Sequence, residues 1–321
     1  MKIVITDCDH ASVDIEREVV ESAGCELVRN QSMEPDEIVR GAAGADGLIV
    51  QYGRITAEVF AGLPTVSVVS RYGVGVDTVD VAAATARGVA VCNVPDYGTE
   101  AVSDHAIALA LGVTRGLGVL DRGIRAGSHD LAPSLPVHQI GGRVFGVVGC
   151  GRIGSAAARK AAGLGYRVIV NDILFEPGTK SPGGWPATTL ADLLATSDVI
   201  SLHVPLHHST HHLIDEAALR LVRPEAVLVN TARGGVVDTD ALVAALRAGR
   251  LHGAGLDVVE EEPLRADHPL TGFDNVILTP HSAFYTAESY AELKRRTAQN
   301  AVDVVLGRVP RDILNPEVLA R

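Results

Sequence analysis

"GRVFGVVGCGRIGSAAARKAAGLGYRVIVND", residues 142–172, decides the fold. Gly149, Gly151 and Gly154 form G-x-G-x-x-G. An apolar run from Val144 to Val148 precedes the glycines, an Ala-rich helical stretch from about Ile153 follows, and a second apolar run ends at Asp172. Strand, glycine turn, helix, strand and acid, in that order, is the context of a dinucleotide site. The glycines allow a tight turn and let backbone N–H groups approach a pyrophosphate, and the helix N-terminus adds partial positive charge beneath it. The alternative is a glycine-tight turn that binds nothing, and the complete context stands against it. Asp172 lies at the distance that lets it accept hydrogen bonds from an adenosine ribose. Ile173 and Leu174 follow it, with no arginine to meet a 2′-phosphate, so NAD is favoured over NADP. Arg152, inside the turn, either approaches the pyrophosphate or is a solvated arginine at a helix start.

Outward from this unit the same alternation repeats. "KIVIT", "GLIVQ", "TVSVVS" and "VAVCNV" are strand candidates on the N-terminal side; "DVISLHV", "AVLVN" and "NVILT" are candidates on the C-terminal side. Helical stretches such as "DIEREVVESAG" and "DTDALVAALRAG" lie between strands. Short β-branched runs alternating with helices predict parallel sheets covered on both faces, and two such series predict two open α/β domains. One long helical region, residues 98–127, separates them. Gly88, Gly165 and Gly249 each end a helical stretch before a strand, where a left-handed cap is expected.

Composition narrows the classes. The 321 residues are 47% hydrophobic and 21% charged, with a net charge of -11, which suits a globular enzyme and argues against nucleic acid as a partner. Four cysteines without a C-x-x-C pair suit a reducing cytoplasm. No apolar stretch is long enough to cross a bilayer, so no membrane partner is expected.

Three strand ends carry candidate chemistry. "LVNTARGGVVD" places Arg233 where a parallel strand meets a loop, and a guanidinium there can grip a carboxylate and polarise the neighbouring carbonyl. "GAGLDVVEEEPL" ends a strand at Asp257 and puts Glu262 before Pro263. "LTPHSAFYT" places His281 just beyond the last strand. A histidine that donates a proton near neutral pH gains from a carboxylate partner, which favours imidazolium.

The stretches "GVVGCGRIG", "SLHVPLHHSTHHLI", "LVNTARGGVVDTDALVAAL", "GLDVVEEEP" and "LTPHSAFYT" together resemble the NAD-dependent D-2-hydroxyacid dehydrogenases over essentially the whole chain. The resemblance implies a Rossmann NAD-binding domain over residues 99–283. It also implies a discontinuous flavodoxin-like substrate domain, 1–98 plus 284–321, with the active site in the cleft. Arg233, Glu262 and His281 match the family's catalytic residues. His203, Val204, Pro205, Thr210, Thr231 and Ala232 match positions that contact the cofactor, and Asp257 matches one that contacts its carboxamide. "SRYGVGVDTVD" is similar to the substrate loop, with amides at Val74 and Gly75. A homodimer with an arm around residues 100–142 is also implied.

Within the family, "RYGVGVD", "CNVPDYGTEAVSDHA" and "HSAFYT" look most like the branch that includes the C-terminal-binding-protein corepressors. That branch implies Arg71, Tyr72 and Phe284 as substrate-facing residues. A second cation at Arg71 leaves a phosphorylated or phosphonate 2-hydroxy acid open as substrate. The branch also leaves open a scaffold that senses NAD(H) with little turnover. His207, His208, His211 and His212 invite a metal reading, with His207 and His211 at helical spacing, but they are no family feature and no functional metal is expected. Trp185 either shields the adenine or covers the sheet.

Overall fold

The computed structural model describes residues 1–320. The chain divides into two compact units, Met1–Gly98 with Thr286–Arg321, and Thr99–Tyr285.

The first unit holds β1 (Lys2–Ile5), β2 (Glu26–Arg29), β3 (Gly47–Val50), β4 (Val68–Arg71) and β5 (Ala90–Cys92). They pair in parallel in the order β2-β1-β3-β4-β5, the doubly wound order of flavodoxin-like sheets. Helices α1 (Asp14–Ser22), α2 (Pro35–Gly41), α3 (Ala57–Gly62) and α4 (Val81–Ala86) connect the strands. β3 is buried at every position, the near-continuous apolar reading of a strand covered on both faces. β2 gave no sequence signal because "ELVR" is a short, charged edge strand with one buried residue.

The second unit contains helices α5 (Thr99–Thr114), α6 (Leu117–Arg125), α7 (Arg152–Gly163), α8 (Leu190–Thr196), α9 (Glu216–Leu221) and α10 (Thr239–Arg247). Its strands are β6 (Val144–Val148), β7 (Arg167–Asn171), β8 (Val199–Leu202), β9 (Val227–Asn230), β10 (Gly253–Leu256) and β11 (Val276–Leu278). They run parallel in the order β11-β10-β9-β8-β6-β7. A single parallel bridge, Val170 to Ala187, continues the sheet beyond β7. Counting that vestige as the third strand gives the Rossmann order, whose reversal falls between β6 and β8. The predicted long helical region is two helices, because Gly116 is left-handed at φ 60° and breaks the register. A β-carbon there would lie 2.6 Å from Ser134 Cβ. Gly88, Gly165 and Gly249 have φ of 72°, 99° and 62°, the expected left-handed caps.

Two apolar layers cover the second sheet. Ala106 and Leu109 of α5 and Ala158 and Ala161 of α7 pack on one face with Phe145 and Val147. Leu193, Leu219, Leu242 and Leu246, from α8, α9 and α10, pack on the other with Leu202 and Leu228. Trp185 packs on the α5/α7 layer, so it covers the sheet. The last helix, α11 (Ala287–Val305), belongs to the first unit, where it packs on β3, β4, β5 and α1. Thr286 and Ser289 close a reciprocal capping box at its start. Among the described residues, no helix is long and apolar enough to cross a membrane.

Candidate active site

Parallel pairing places the carboxyl ends of all six strands of the second unit on one edge. The glycine turn after β6, His203 after β8, Thr231 to Arg233 after β9, Asp257 after β10 and His281 after β11 therefore share that edge.

At the turn, Gly149 has φ 88°, and a β-carbon on it would meet the His203 carbonyl carbon at 2.8 Å. A β-carbon on Gly154 would lie 1.9 Å from Gly149 O. These two glycines let α7 and the end of β8 close on the turn. Gly151 is different: nothing lies within 4 Å of its absent β-carbon, so its bare face looks onto open space. Gly151 is also the N-cap of α7, and no side chain caps the helix. The first-turn amides, at Arg152, Ile153 and Gly154, are thus the donors of an uncapped N-terminus. Asp172 follows β7 and is tied to the turn, its Oδ2 accepting from Cys150 N at 2.8 Å. Ile173 and Leu174 beside it are 100% and 80% exposed, an unusual apolar surface for a planar ring to cover.

Two polar atoms at the same edge have no partner among the described residues. His203 Nδ1 and Thr231 Oγ1 are both withdrawn from water. Burial brings the His203 pKa down to about 4, so its ring is neutral at pH 7, and Nε2 pairs with Ser201 Oγ at 2.9 Å. Orphaned groups of this kind call for a ligand or an ordered water. Thr210 is more committed: its hydroxyl donates to Pro205 O at 2.6 Å and closes the turn that carries Val204 and Pro205.

His281 adopts φ 53°, a left-handed conformation uncommon outside glycine, and its N–H donates to Asp257 O at 2.8 Å. Its Nδ1 lies 2.8 Å from Glu262 Oε2. Glu262 Oε1 accepts from Val259 N at 3.1 Å, which fixes the carboxylate plane. Burial alone would raise the Glu262 pKa, but the His281 hydrogen bond and charge, then the Val259 amide and last the Arg233 charge, outweigh it and hold it below the usual value. The Arg233 loop packs tightly on the Glu262 loop, since a β-carbon on Gly234 would sit 1.9 Å from Val259 O.

Asp257 is buried, and its carboxylate accepts from Thr279 Oγ1 at 2.6 Å, Ser282 N at 2.9 Å and Ala283 N at 2.9 Å. It is the anchor of the loop that carries His281 and Phe284. His105, on α5, adds a residue that the sequence reading missed: Nε2 lies 2.9 Å from Thr279 Oγ1. A histidine inside an apolar helical stretch was its only signal. Asp257→Ala leaves two part-buried donors and one buried donor unpaired, so a loss of about 3 kcal/mol is expected. The thermal transition of the full chain should fall by roughly 4–5 °C. An unchanged transition would show that the loop does not depend on this anchor.

In the first unit, Arg71 ends β4 and its guanidinium folds over the following loop. A β-carbon on Gly73, which has φ 130°, would lie 1.8 Å from Arg71 Nη1. Gly73 O accepts from Val94 N at 2.9 Å, and Val74 O accepts from Asn93 Nδ2 at 2.6 Å. A trans peptide directs its N–H opposite its C=O. The amides of Val74 and Gly75 therefore point away from β5. Tyr72, the neighbouring substrate-facing candidate, is buried. Its side chain is 3% exposed and its hydroxyl donates to Glu16 Oε1 at 2.7 Å, because strand alternation turns it inward where Arg71 turns out.

The profile described as "D-isomer specific 2-hydroxyacid dehydrogenase, NAD binding domain" matches residues 107–283. The chain belongs to the D-2-hydroxyacid dehydrogenase family. It is 40% identical over 306 residues to a glyoxylate reductase of Thermofilum pendens, covering 92% of this chain and 90% of that one. It is 43% identical over 277 residues to a glyoxylate reductase of Thermococcus onnurineus, covering 83% and 81%. A D-lactate dehydrogenase from Aquifex aeolicus, solved with NAD and lactic acid, superposes with a TM-score of 0.86 at 28% identity, covering 98% of this chain and 99% of that one. This dehydrogenase is an NAD-dependent enzyme. Its own residues fit the dinucleotide: an open glycine face, an uncapped helix start, the acid that follows β7 and two orphaned polar atoms meet at one sheet edge.

Proposed function

We propose that the chain interconverts a small 2-oxo acid and its D-2-hydroxy acid, with His281 as the proton donor and acceptor. The observation that carries this is the 2.8 Å contact between His281 Nδ1 and Glu262 Oε2. Bound NADH supplies the hydride to the carbonyl carbon. His281, held by Glu262 through Nδ1, presents Nε2 and gives its proton to the oxygen that becomes the alcohol. Arg233 holds the substrate carboxylate and draws charge onto the carbonyl oxygen. The amides of Val74 and Gly75, which point away from β5, are proposed as donors to a substrate carboxylate.

Names of relatives favour glyoxylate and similarly small acids. Arg71, folded over the Val74 loop, and Phe284 are proposed as the residues that read the rest of the substrate, as in the corepressor-like branch. Arg71 keeps a phosphorylated or phosphonate acid within range. Steady-state NADH oxidation against glyoxylate, pyruvate, hydroxypyruvate, dicarboxylic and phosphonylated 2-oxo acids tests the reading. Turnover with none of them, despite tight NADH binding, would reject it.

Asp172 is proposed to hold the ribose and to repel a 2′-phosphate. Asp172→Asn keeps the shape and removes the charge, so NADH affinity should fall about tenfold or more while NADPH is disfavoured less. Fluorescence titration with both nucleotides measures the ratio; an unchanged ratio would refute the role. We also propose a cytoplasmic homodimer joined through the cofactor unit and the arm around residues 100–142. Leu117, Ile124, Leu131 and Leu135, each more than half exposed, supply the apolar surface it would cover.

A further inference from the structure

We propose that His211, His212 and Glu260 form a site for a borderline divalent transition cation, with Zn²⁺ as the representative ion. The helical pair His207 and His211 does not make it. The structure instead gathers one ligand atom from each of His211, His212 and Glu260 within 4.8 Å of one another. None of the three takes part in the dinucleotide or proton-transfer roles assigned above.

The grouping follows from the backbone. His212 sits at φ 51°, in the left-handed region, which a non-glycine residue adopts only when its surroundings impose it. The imposition is visible: His212 N donates to Gly235 O at 2.8 Å, and Ile214 N donates to Val236 O at 3.0 Å. The left-handed turn brings two successive rings to one side, stacked with centroids 3.9 Å apart. Glu260 comes from a different loop and is already oriented. Its Oε2 accepts from Thr239 N, at the start of α10, at 2.7 Å, while Oε1 faces His212 Nε2 at 2.6 Å. A carboxylate with one oxygen tied to an amide and the other turned to an imidazole is a prepared ligand pair. Asp238 Oδ2, 4.0 Å from His212 Nδ1, stands where a further carboxylate steadies the ring.

The donor set selects the ion. Two imidazoles and one carboxylate suit Zn²⁺ and its neighbours and disfavour Mg²⁺ or Ca²⁺, which require oxygen ligands. Ligand atoms about 2.0–2.2 Å from a tetrahedral Zn²⁺ lie roughly 3.3 Å apart, so side-chain rotation must draw in the present spread. The cation would replace the proton shared by His212 and Glu260. Three protein ligands leave a fourth position to water, the arrangement of an exchangeable ion. Occupancy would tie the turn at residues 207–212 to the loop that ends in Glu262.

Isothermal titration of ZnCl2 into the full chain, prepared without a histidine tag, tests the proposal whether or not the enzyme turns over. One Zn²⁺ should bind per chain and raise the thermal transition. Binding should weaken by about 10–100-fold in His211→Ala and in Glu260→Gln. The variant His207→Ala/His208→Ala, which removes two exposed neighbours, should bind as the parent does. Non-saturable binding, parental affinity in His211→Ala or Glu260→Gln, or an equal loss in the His207/His208 variant would overturn the site. Circular dichroism of each variant confirms that a loss of binding is not a loss of fold.

Discussion

His281→Ala is expected to lower the reductive kcat by about 10²–10⁴-fold while NADH still binds with parental affinity. The residue lies beyond β11, away from the glycine turn after β6, so its removal spares the cofactor's anion site. What is lost is the group proposed to deliver a proton as the carbonyl oxygen gains charge. Pre-steady-state NADH oxidation separates this from slow release, since the burst should disappear as well. Glu262→Gln refines the test. The carboxylate is ionised at neutral pH because its pKa lies below the usual value, and that charge sits 2.8 Å from Nδ1. The sign follows. A depressed carboxylate contributes above its unfolded pKa, and the contribution is lost as pH falls through the folded pKa. Across the neutral range Glu262 is therefore an ionised acceptor facing Nδ1. Removing that charge should lower the reductive kcat while leaving the NADH titration unchanged. An unchanged kcat would separate Glu262 from proton transfer.

Arg233→Ala should cost about 10²–10³-fold in kcat/KM for the 2-oxo acid, consistent with truncating one partner of a hydrogen-bonded charge pair. The loss should fall on both parameters. A guanidinium that grips the carboxylate lowers KM, and one that draws charge onto the carbonyl oxygen raises kcat. Arg233→Lys should recover little, because an ammonium cannot supply two parallel N–H donors. The loop itself should persist, because Asn230 Nδ2 holds Arg233 through its backbone oxygen at 2.9 Å. A kcat/KM within a few-fold of the parent would remove Arg233 from the substrate site.

Much of the site could be read from order along the chain. In a parallel sheet every strand ends on the same edge, so residues just past each apolar run are neighbours by construction. Gly149, Thr231, Arg233, Asp257 and His281 were legible for that reason. Features that depend on one residue's pairing were not. The strand vestige at Ala187 is a single bridge with no periodicity. Tyr72 turns inward only because strand β4 sets its alternation, with Glu16 there to receive its hydroxyl.

The sequence alone determined the alternation of strands and helices, the glycine turn with its acid, and the edge on which the chemistry gathers. These are local periodicities and spacings, encoded within a few tens of residues. Only the tertiary structure decided that His105 supports Thr279 across 174 residues, that Asp257 anchors the His281 loop, and that His212 meets Glu260 across 48. Such pairings depend on which distant segments pack together, and no local pattern carries that choice.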